Sequence, residues 1–292
     1  MNKIKVVVIG NCQARPIATL LEQMGVKVEV IKIAIVHLLS NEQKNEYEHF
    51  FKDADFIIAQ VIADNYPCSF VTTKYLKVHY PGKVINIVNL YFSGYMPELR
   101  YIRLNGKGTL RGPLADYHNQ TIYDCWKEKQ TQQYTHARLE DSVFNKNKYG
   151  LLFEKSLSEL SCREGATDIR IVNFIKNNLH IQKLFFTFNH PSLNLLIEYV
   201  KEILVFIDIK YTLQPVSCIK EPLGQFTAPI NIHIKDLIDI EFKDITVFKG
   251  LARIDSPEGF IYKGFKDYTS EEFISESFIN YDKNESFLDG VI

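Results

Sequence analysis

Apolar residues in the first half of the chain come in short runs, separated by stretches with helical spacing. "KVVVIG" (5–10) is an unbroken β-branched run and predicts a buried strand. "QARPIATLLEQMG" places apolar residues three and four apart and predicts a helix closed by Gly25, and "VKVEVIKI" predicts a second strand. "NEQKNEYEHFFKDA" has helical spacing with a polar face, while "DFIIAQVI" and "KVINIVNLYF" predict strands three and four. Farther on, "IQKLFFTFNHP" predicts a fifth strand that runs into the helix "SLNLLIEYVKEIL". Apolar strands alternating with helices imply an α/β fold, a mostly parallel sheet with helices on both faces. Ligands of such sheets bind at the carboxyl ends of the strands.

The pattern then changes twice. "CWKEKQTQQYTHARLEDSVFNKNKYG" is polar and amphipathic at best, and predicts a helical insertion or a lid. Beyond about residue 210, "YTLQPVSCIKEPLG" and "INIHIKDLIDIEFKDITVFKG" predict short strands and turns. The end, "DYTSEEFISESFINYDKNESFLDGVI", is acidic but keeps regular aromatics, which predicts that it is packed. No repeat or low-complexity linker marks a boundary. The expected division is a catalytic domain over 1–210 and a C-terminal extension over 211–292.

Composition narrows the partners. The 34 Lys+Arg against 35 Asp+Glu leave a formal charge of -1, so no global basic field points to nucleic acid. The apolar run 6–9 is too short for a signal-peptide core. "LNLLIEYVKEILVFIDIK" is interrupted by Glu198, Lys201, Glu202 and Asp208, so no membrane span is expected. The 5 cysteines (12, 68, 125, 162, 218) are scattered with no C-x-x-C pair, which argues against a disulfide framework or a structural zinc. A cytoplasmic location follows as the expectation.

The candidate chemistry begins at Gly10-Asn11-Cys12-Gln13. Neither a P-loop nor a dinucleotide loop fits, because only the first glycine is present. What remains is a tight strand-to-helix turn carrying a thiol near a helix amino end. Unpaired N–H groups there are expected to lower its pKa and to hold an oxyanion. The competing reading makes Cys12 a small packing residue. A thiol nucleophile needs a base, and His190 stands between a predicted strand and a predicted helix, at the same carboxyl-end edge. Pro191 suits the first turn of that helix. The competing reading has His190 or Asn189 merely capping it. Gln60 and Asn65 follow the third strand and could donate to an oxyanion or acyl carbonyl. Tyr91, Phe92 and Tyr95 surround Gly94 after the fourth, where aromatics could stack on a sugar or adenine. Asp116 and His118 lie two apart, with Asp116 as an N-cap and His118 at the surface as the local alternative. Arg15, Arg163 and "RYIRLNGKGTLR" (Arg100, Arg103, Lys107, Arg111) could meet phosphates, or the last could be a solvated basic loop.

In order and spacing, the G-N-C-Q turn, "LYFSGYMPEL", "GPLADYH", "SCREGATDIRIVNFI" and "FFTFNHPS" resemble the WcbI-type polysaccharide-biosynthesis acetyltransferases over roughly residues 4 to 205. That family resembles an SGNH-hydrolase (flavodoxin-like) three-layer sandwich with cysteine in place of the nucleophilic serine. The resemblance implies a CoA-binding enzyme that moves an acetyl group from acetyl-CoA onto a sugar hydroxyl of a capsule or other surface glycan. Carried over, Cys12 is the nucleophile and His190 the base. Gln13, Gln60 and Asn189 are oxyanion or positioning groups. Asn11, Arg15, Asn65, Tyr91, Tyr95, Asp116, Tyr117, His118 and Arg163 complete the expected donor and acceptor site, with Asp116 or His118 as candidates to orient His190. The D-x-x-H pattern of SGNH hydrolases is broken, because Thr187 holds the acid's position. Partners are therefore a small acyl donor and a sugar or glycan acceptor, with no nucleic acid, no metal and the oligomeric state open. A glycan esterase on the same scaffold and a non-catalytic glycan-binding protein are the rival readings.

Overall fold

The computed structural model describes residues 3–105, 108–212, 220–257 and 259–288, so Lys107 and Cys218 lie outside the described residues. The chain starts with β1 (Ile4–Gly10), α1 (Ala14–Met24), β2 (Val28–Ile35), α2 (Lys44–Asp53), β3 (Phe56–Gln60), α3 (Thr73–His79) and β4 (Val84–Ile87). Short strands follow: β5 (Leu99–Tyr101), β6 (Arg103–Leu104), β7 (Gly108–Thr109) and β8 (Tyr117–Asn119). The polar middle is helical, with α4 (Gln120–Lys127), α5 (Gln132–Leu139), α6 (Ser142–Tyr149), α7 (Leu152–Glu164) and α8 (Val172–Asn178). Then come β9 (Phe185–Thr187), β10 (His190–Pro191), α9 (Leu193–Phe206) and α10 (Ile232–Ile238). The last elements are β11 (Phe248–Gly250), β12 (Arg253–Ser256), β13 (Gly259–Tyr262), β14 (Lys266–Tyr268), α11 (Ser270–Lys283) and α12 (Glu285–Leu288).

By spatial compactness these elements form two units that interleave along the chain. The first takes residues 1–91, 158–178 and 190–222; the second takes 92–157, 179–189 and 223–292. The first unit holds a parallel sheet in the order β2-β1-β3-β4. Val6 to Ile9 of β1 are fully buried, as a central strand covered on both faces requires. Val7 and Ile9 pack with Phe51 of α2, with Phe70 in the turn before α3 and with Leu76 of α3. Side chains alternate along a strand, so Val6 and Val8 face the opposite layer, where α1 and α9 pack together. The result is an α/β sheet with helices on both faces. Strand order reverses direction between β1 and β3, the crevice where such sheets bind ligands. The exposed edge of β4 is closed by the loop after α7: Asp168 N donates to Asn86 O, and Asn86 N donates to Asp168 Oδ2 at 2.7 Å.

The second unit pairs β5 with β8 and packs α11 on α4 and α5. An ion pair of Lys183 Nζ with Asp244 Oδ1 at 2.6 Å, side-chain exposures 12% and 0%, is buried within it. Phe248 and Phe273 stack at 4.0 Å, so the C-terminal aromatics are core residues.

Three local expectations change. The fifth strand is the three-residue β9, which does not join the parallel sheet. "INIHIKDLI" alternates like a strand but forms α10, because Asn231 Oδ1 caps His233 N and Ile234 and Ile238, four apart, are the residues it buries. The cap of α9 is Ser192, which accepts from Leu195 N, so Pro191, Asn189 and His190 all precede the helix and none of them caps it.

Candidate active site

The hinge after β1 is held by side-chain amides. Asn11 N donates to Gln60 Oε1 at 2.9 Å, and Asn11 Oδ1 accepts from Gln13 N at 2.9 Å, an Asx turn across Cys12. Gln60 Nε2 donates to Gln13 Oε1 at 2.9 Å, and Gln13 Nε2 donates to Leu90 O at 2.9 Å. Asn11 Nδ2 reaches Asn89 Oδ1 at 3.1 Å. The loops after β1, β3 and β4 are thus tied into one frame beneath the thiol. Gly10 makes room for it: a Cβ there would come within 2.9 Å of the Gln60 amide. Asn89 was missed by the sequence reading, although an amide directly after a strand end is the same signal that singled out Gln60.

Cys12 is half-buried on this frame. The N–H groups of Cys12 and Gln13 pull its pKa down as the turn predicts, but burial is the larger effect and pushes the thiol up to about 11. The expected lowering is therefore overturned: no charged group acts on the sulfur, and two dipoles do not offset its loss of water. At neutral pH this thiol is protonated and needs a base to react.

His190 is buried, just before α9. Gly25, which ends α1, approaches Leu204 near the end of α9, where a Cβ would meet Leu204 Cδ2 at 2.9 Å, and Val26 N donates to Lys210 O. The carboxyl ends of the two packed helices therefore lie together. Gly25 and Leu204 each lie eleven residues after the helix starts at Ala14 and Leu193, a rise of about 16 Å in both. Cys12 lies two residues before the first turn of α1 and His190 three before that of α9.

Arg163 and Tyr91 add a cation to this unit. Arg163 Nη2 donates to Tyr91 O at 2.6 Å, and its guanidinium lies 5.6 Å from the Tyr91 ring centre. Arg163 Nε is buried with no hydrogen-bond partner among the described residues, and burial lowers the pKa of the guanidinium. The neighbouring Glu164 caps α8, its Oε1 accepting from Val172 N at 2.7 Å. Arg15 and Asn65 are exposed.

The remaining candidates belong to the second unit, and several are core residues. Tyr95 and Phe92 are fully buried, the Tyr95 hydroxyl donating to Leu179 O, so neither ring can stack on a ligand as expected. His118 is 1% exposed, with Nε2 3.0 Å from Leu110 O and Nδ1 3.1 Å from the Tyr281 hydroxyl. Burial drives its pKa down to about 4. Both nitrogens being engaged, it neither contacts a ligand nor orients His190, and it is not the surface residue of the alternative reading. Asp116 is exposed, and the N-cap of α4 is Asn119 instead, accepting from Ile122 N at 3.1 Å. Asn189 is clamped between two phenols: Tyr117 donates to its Oδ1 at 2.6 Å, and its Nδ2 donates to the Tyr101 hydroxyl at 3.0 Å. Tyr101 was hidden from the sequence reading inside a basic stretch. That stretch divides, with Arg100 bonded to Gln120 Oε1 and Arg103 and Arg111 exposed. Glu98 is fully buried, its Oε2 has no partner among the described residues, and burial lifts its carboxyl to about 7.

Residues 5–211 match the family model described as "Polysaccharide biosynthesis enzyme WcbI". No curated protein matches the chain. A solved structure of WcbI, described as a novel polysaccharide biosynthesis enzyme in its native form without a disulfide bond between CoA and one of its cysteines, is similar in fold. It has TM-score 0.76 and 17% identity, covering 99% of this chain and 95% of that one. No helix of the described residues is long and apolar enough to cross a membrane.

Proposed function

The chain belongs to the WcbI family of polysaccharide biosynthesis enzymes, and on that premise we propose that it is an O-acetyltransferase moving an acyl group from acetyl-CoA to a sugar hydroxyl during capsule or surface-polysaccharide synthesis in the cytoplasm. The observation that carries this reading is the thiol on its amide frame at the amino end of α1, with His190 just before α9, the helix packed against α1. The solved relative's association with CoA supports the choice of donor.

In the proposed cycle His190 takes the proton of Cys12, and the sulfur attacks the thioester carbon. The CoA sulfur leaves with the acyl group's former bonding pair and recovers the proton from His190. A sugar hydroxyl then gives its proton to His190, attacks the acyl carbon, and the Cys12 sulfur departs, regaining that proton. Exchange of one thioester for another is nearly isoenergetic, so a cysteine suits this donor. The Cys12 N–H supplies a dipole for the oxyanion, while the Gln13 N–H is held by Asn11 Oδ1 and fixes the turn. Asn11, Gln13 and Gln60, whose amide groups are committed to one another and to the chain, act as positioning groups for that dipole. Asn189 is assigned a positioning role through its tyrosine clamp. Arg163 is the cation assigned to a CoA phosphate, and Tyr91 holds its plane.

The test is brief exposure to acetyl-CoA followed by peptide mass spectrometry. Acetyl on Cys12 that disappears when a sugar acceptor is added is the expected result. Full transfer activity in Cys12→Ser, or release of acetate to water without need of an acceptor, would overturn it, the latter in favour of an esterase.

A further inference from the structure

The basic stretch ending at Arg111 has a use outside the proposed catalytic groups. Within the second unit, Arg111, β13 and the last turns of α11 line an open surface cavity of about 400 Å³. That lies inside the range of roughly 300–1,000 Å³ typical of small-molecule sites. Its wall combines Arg111 and Lys283 with the amides of Asn280 and Asn284 and the rings of Phe260 and Tyr262, and among the described residues no acidic side chain lines it.

Each group has a different share of the work. Lys283 Nζ donates to Phe260 O and sits 4.0 Å from that ring's centre, at the carboxyl end of α11, whose partial negative charge it meets. Asn280 Nδ2 donates to Arg111 O at 3.2 Å, which holds the backbone of Arg111 in the wall. Asn284 Nδ2 covers Asn280 O at 2.8 Å. The Arg111 side chain is exposed, and no carboxylate pairs with it among the described residues. Arg253, by contrast, is neutralised by Asp255 and Glu276. The Tyr262 hydroxyl is bonded to Glu276 Oε1 at 3.0 Å, so that residue offers its ring; a guanidinium without a counter-charge among the described residues, beside carboxamides and ring faces, suits a ligand carrying an anion on a polyhydroxylated frame.

We infer that this cavity binds an anionic sugar, a hexose bearing a carboxylate or a phosphate, and so gives the region beyond residue 211 a glycan-holding role. Choosing a sugar among anionic ligands rests on the family's polysaccharide chemistry. The anion recognition rests on the cavity alone.

The experiment is calorimetric titration of the full chain with glucuronic acid, glucose 6-phosphate, glucose and inorganic phosphate, with hydrogen–deuterium exchange to locate binding. Expected are binding of one or both anionic sugars, at least about ten-fold weaker binding of glucose, and protection in 259–262 and 280–284. Arg111→Gln, at an exposed site, should fold normally by thermal unfolding and weaken the anionic sugar about ten-fold, as loss of a charge-assisted hydrogen bond predicts. Lys283→Gln is the second variant, expected to weaken binding less. Three results would each overturn the inference: no binding of either anionic sugar, unchanged affinity in Arg111→Gln, or inorganic phosphate binding as tightly as glucose 6-phosphate. Repeating the titration in Cys12→Ser separates this site from the proposed chemistry. Sugar binding there survives if only the acyl-transfer reading fails, and acetylation of Cys12 survives if only the cavity inference fails.

Discussion

The G-N-C-Q turn and the "GPLADYH" segment look alike in the sequence: each follows a glycine, each carries one reactive side chain among polar neighbours. Folding gives them opposite fates. Around Cys12 the neighbouring amides bond to one another and to backbone, and the sulfur stays half-buried with dipoles but no ion beside it. Around His118 the side chain itself takes part, Nε2–H donating to Leu110 O and Nδ1 meeting the Tyr281 hydroxyl, and the ring is sealed in the core. A frame that satisfies itself leaves its reactive atom available; one that is completed by the reactive residue uses it up. The difference lies in where the hydrogen bonds terminate, not in residue type.

The largest test of that contrast compares Cys12→Ala with His118→Ala. The first is expected to lower acyl transfer on the order of 10³-fold or more with little change in stability. The second should cost about 3 kcal/mol of unfolding free energy and leave transfer per folded molecule near wild type. Assays beside denaturant unfolding curves decide it; a catalytic collapse in folded His118→Ala would erase the distinction.

Next comes pH. His118 has its folded pKa lowered to about 4, so its contribution is complete above the unfolded value near 6.5 and is lost as pH falls toward 4. Glu98 has its folded pKa raised to about 7, so its contribution is complete below the unfolded value near 4.5 and is lost as pH rises toward 7. Each spans about 3 kcal/mol with opposite sign. Stability should therefore be nearly flat between these limits in the wild type, should climb with pH in Glu98→Gln and should fall with pH in His118→Gln. Urea unfolding at pH 5 and 6.5 measures this. Cys12 offers a chemical counterpart: alkylation of its thiol should keep accelerating past pH 9 toward 11, because its pKa is pushed up to about 11.

A smaller effect probes the amide frame. Gln60→Leu removes the acceptor for Asn11 N and a donor to Gln13, and should cost about 2 kcal/mol and slow acylation of Cys12 as the turn loosens. Retained acylation with lowered stability would make the frame purely structural. The smallest is Arg163→Lys, which keeps charge but loses the planar contact with Tyr91. It should raise the KM for acetyl-CoA about ten-fold with kcat little changed.

The alternation of apolar runs and helical stretches was enough to find the four strands of the sheet, because central parallel strands must be apolar throughout. The places of Cys12 and Gln60 at the ends of β1 and β3 were legible for a related reason, because a buried strand marks its own end, whereas His190 lies beside β9, which does not join that sheet. The ends of elements were less legible, since Ser192 rather than Pro191 or His190 caps α9 and the alternating "INIHIKDLI" coils into a helix. A cap or a single buried stripe there outweighs a short-range pattern.

By itself, then, the sequence determined the layered α/β plan and the order of its motif residues, since local periodicity encodes which faces need burial. Only the tertiary structure decided that the Cys12 pKa rises instead of falling, that Tyr95 and His118 are core, and that Asn89, Tyr101 and Glu98 matter. Desolvation and hydrogen-bond partners depend on residues scores of positions apart in the chain, and no local pattern carries that information.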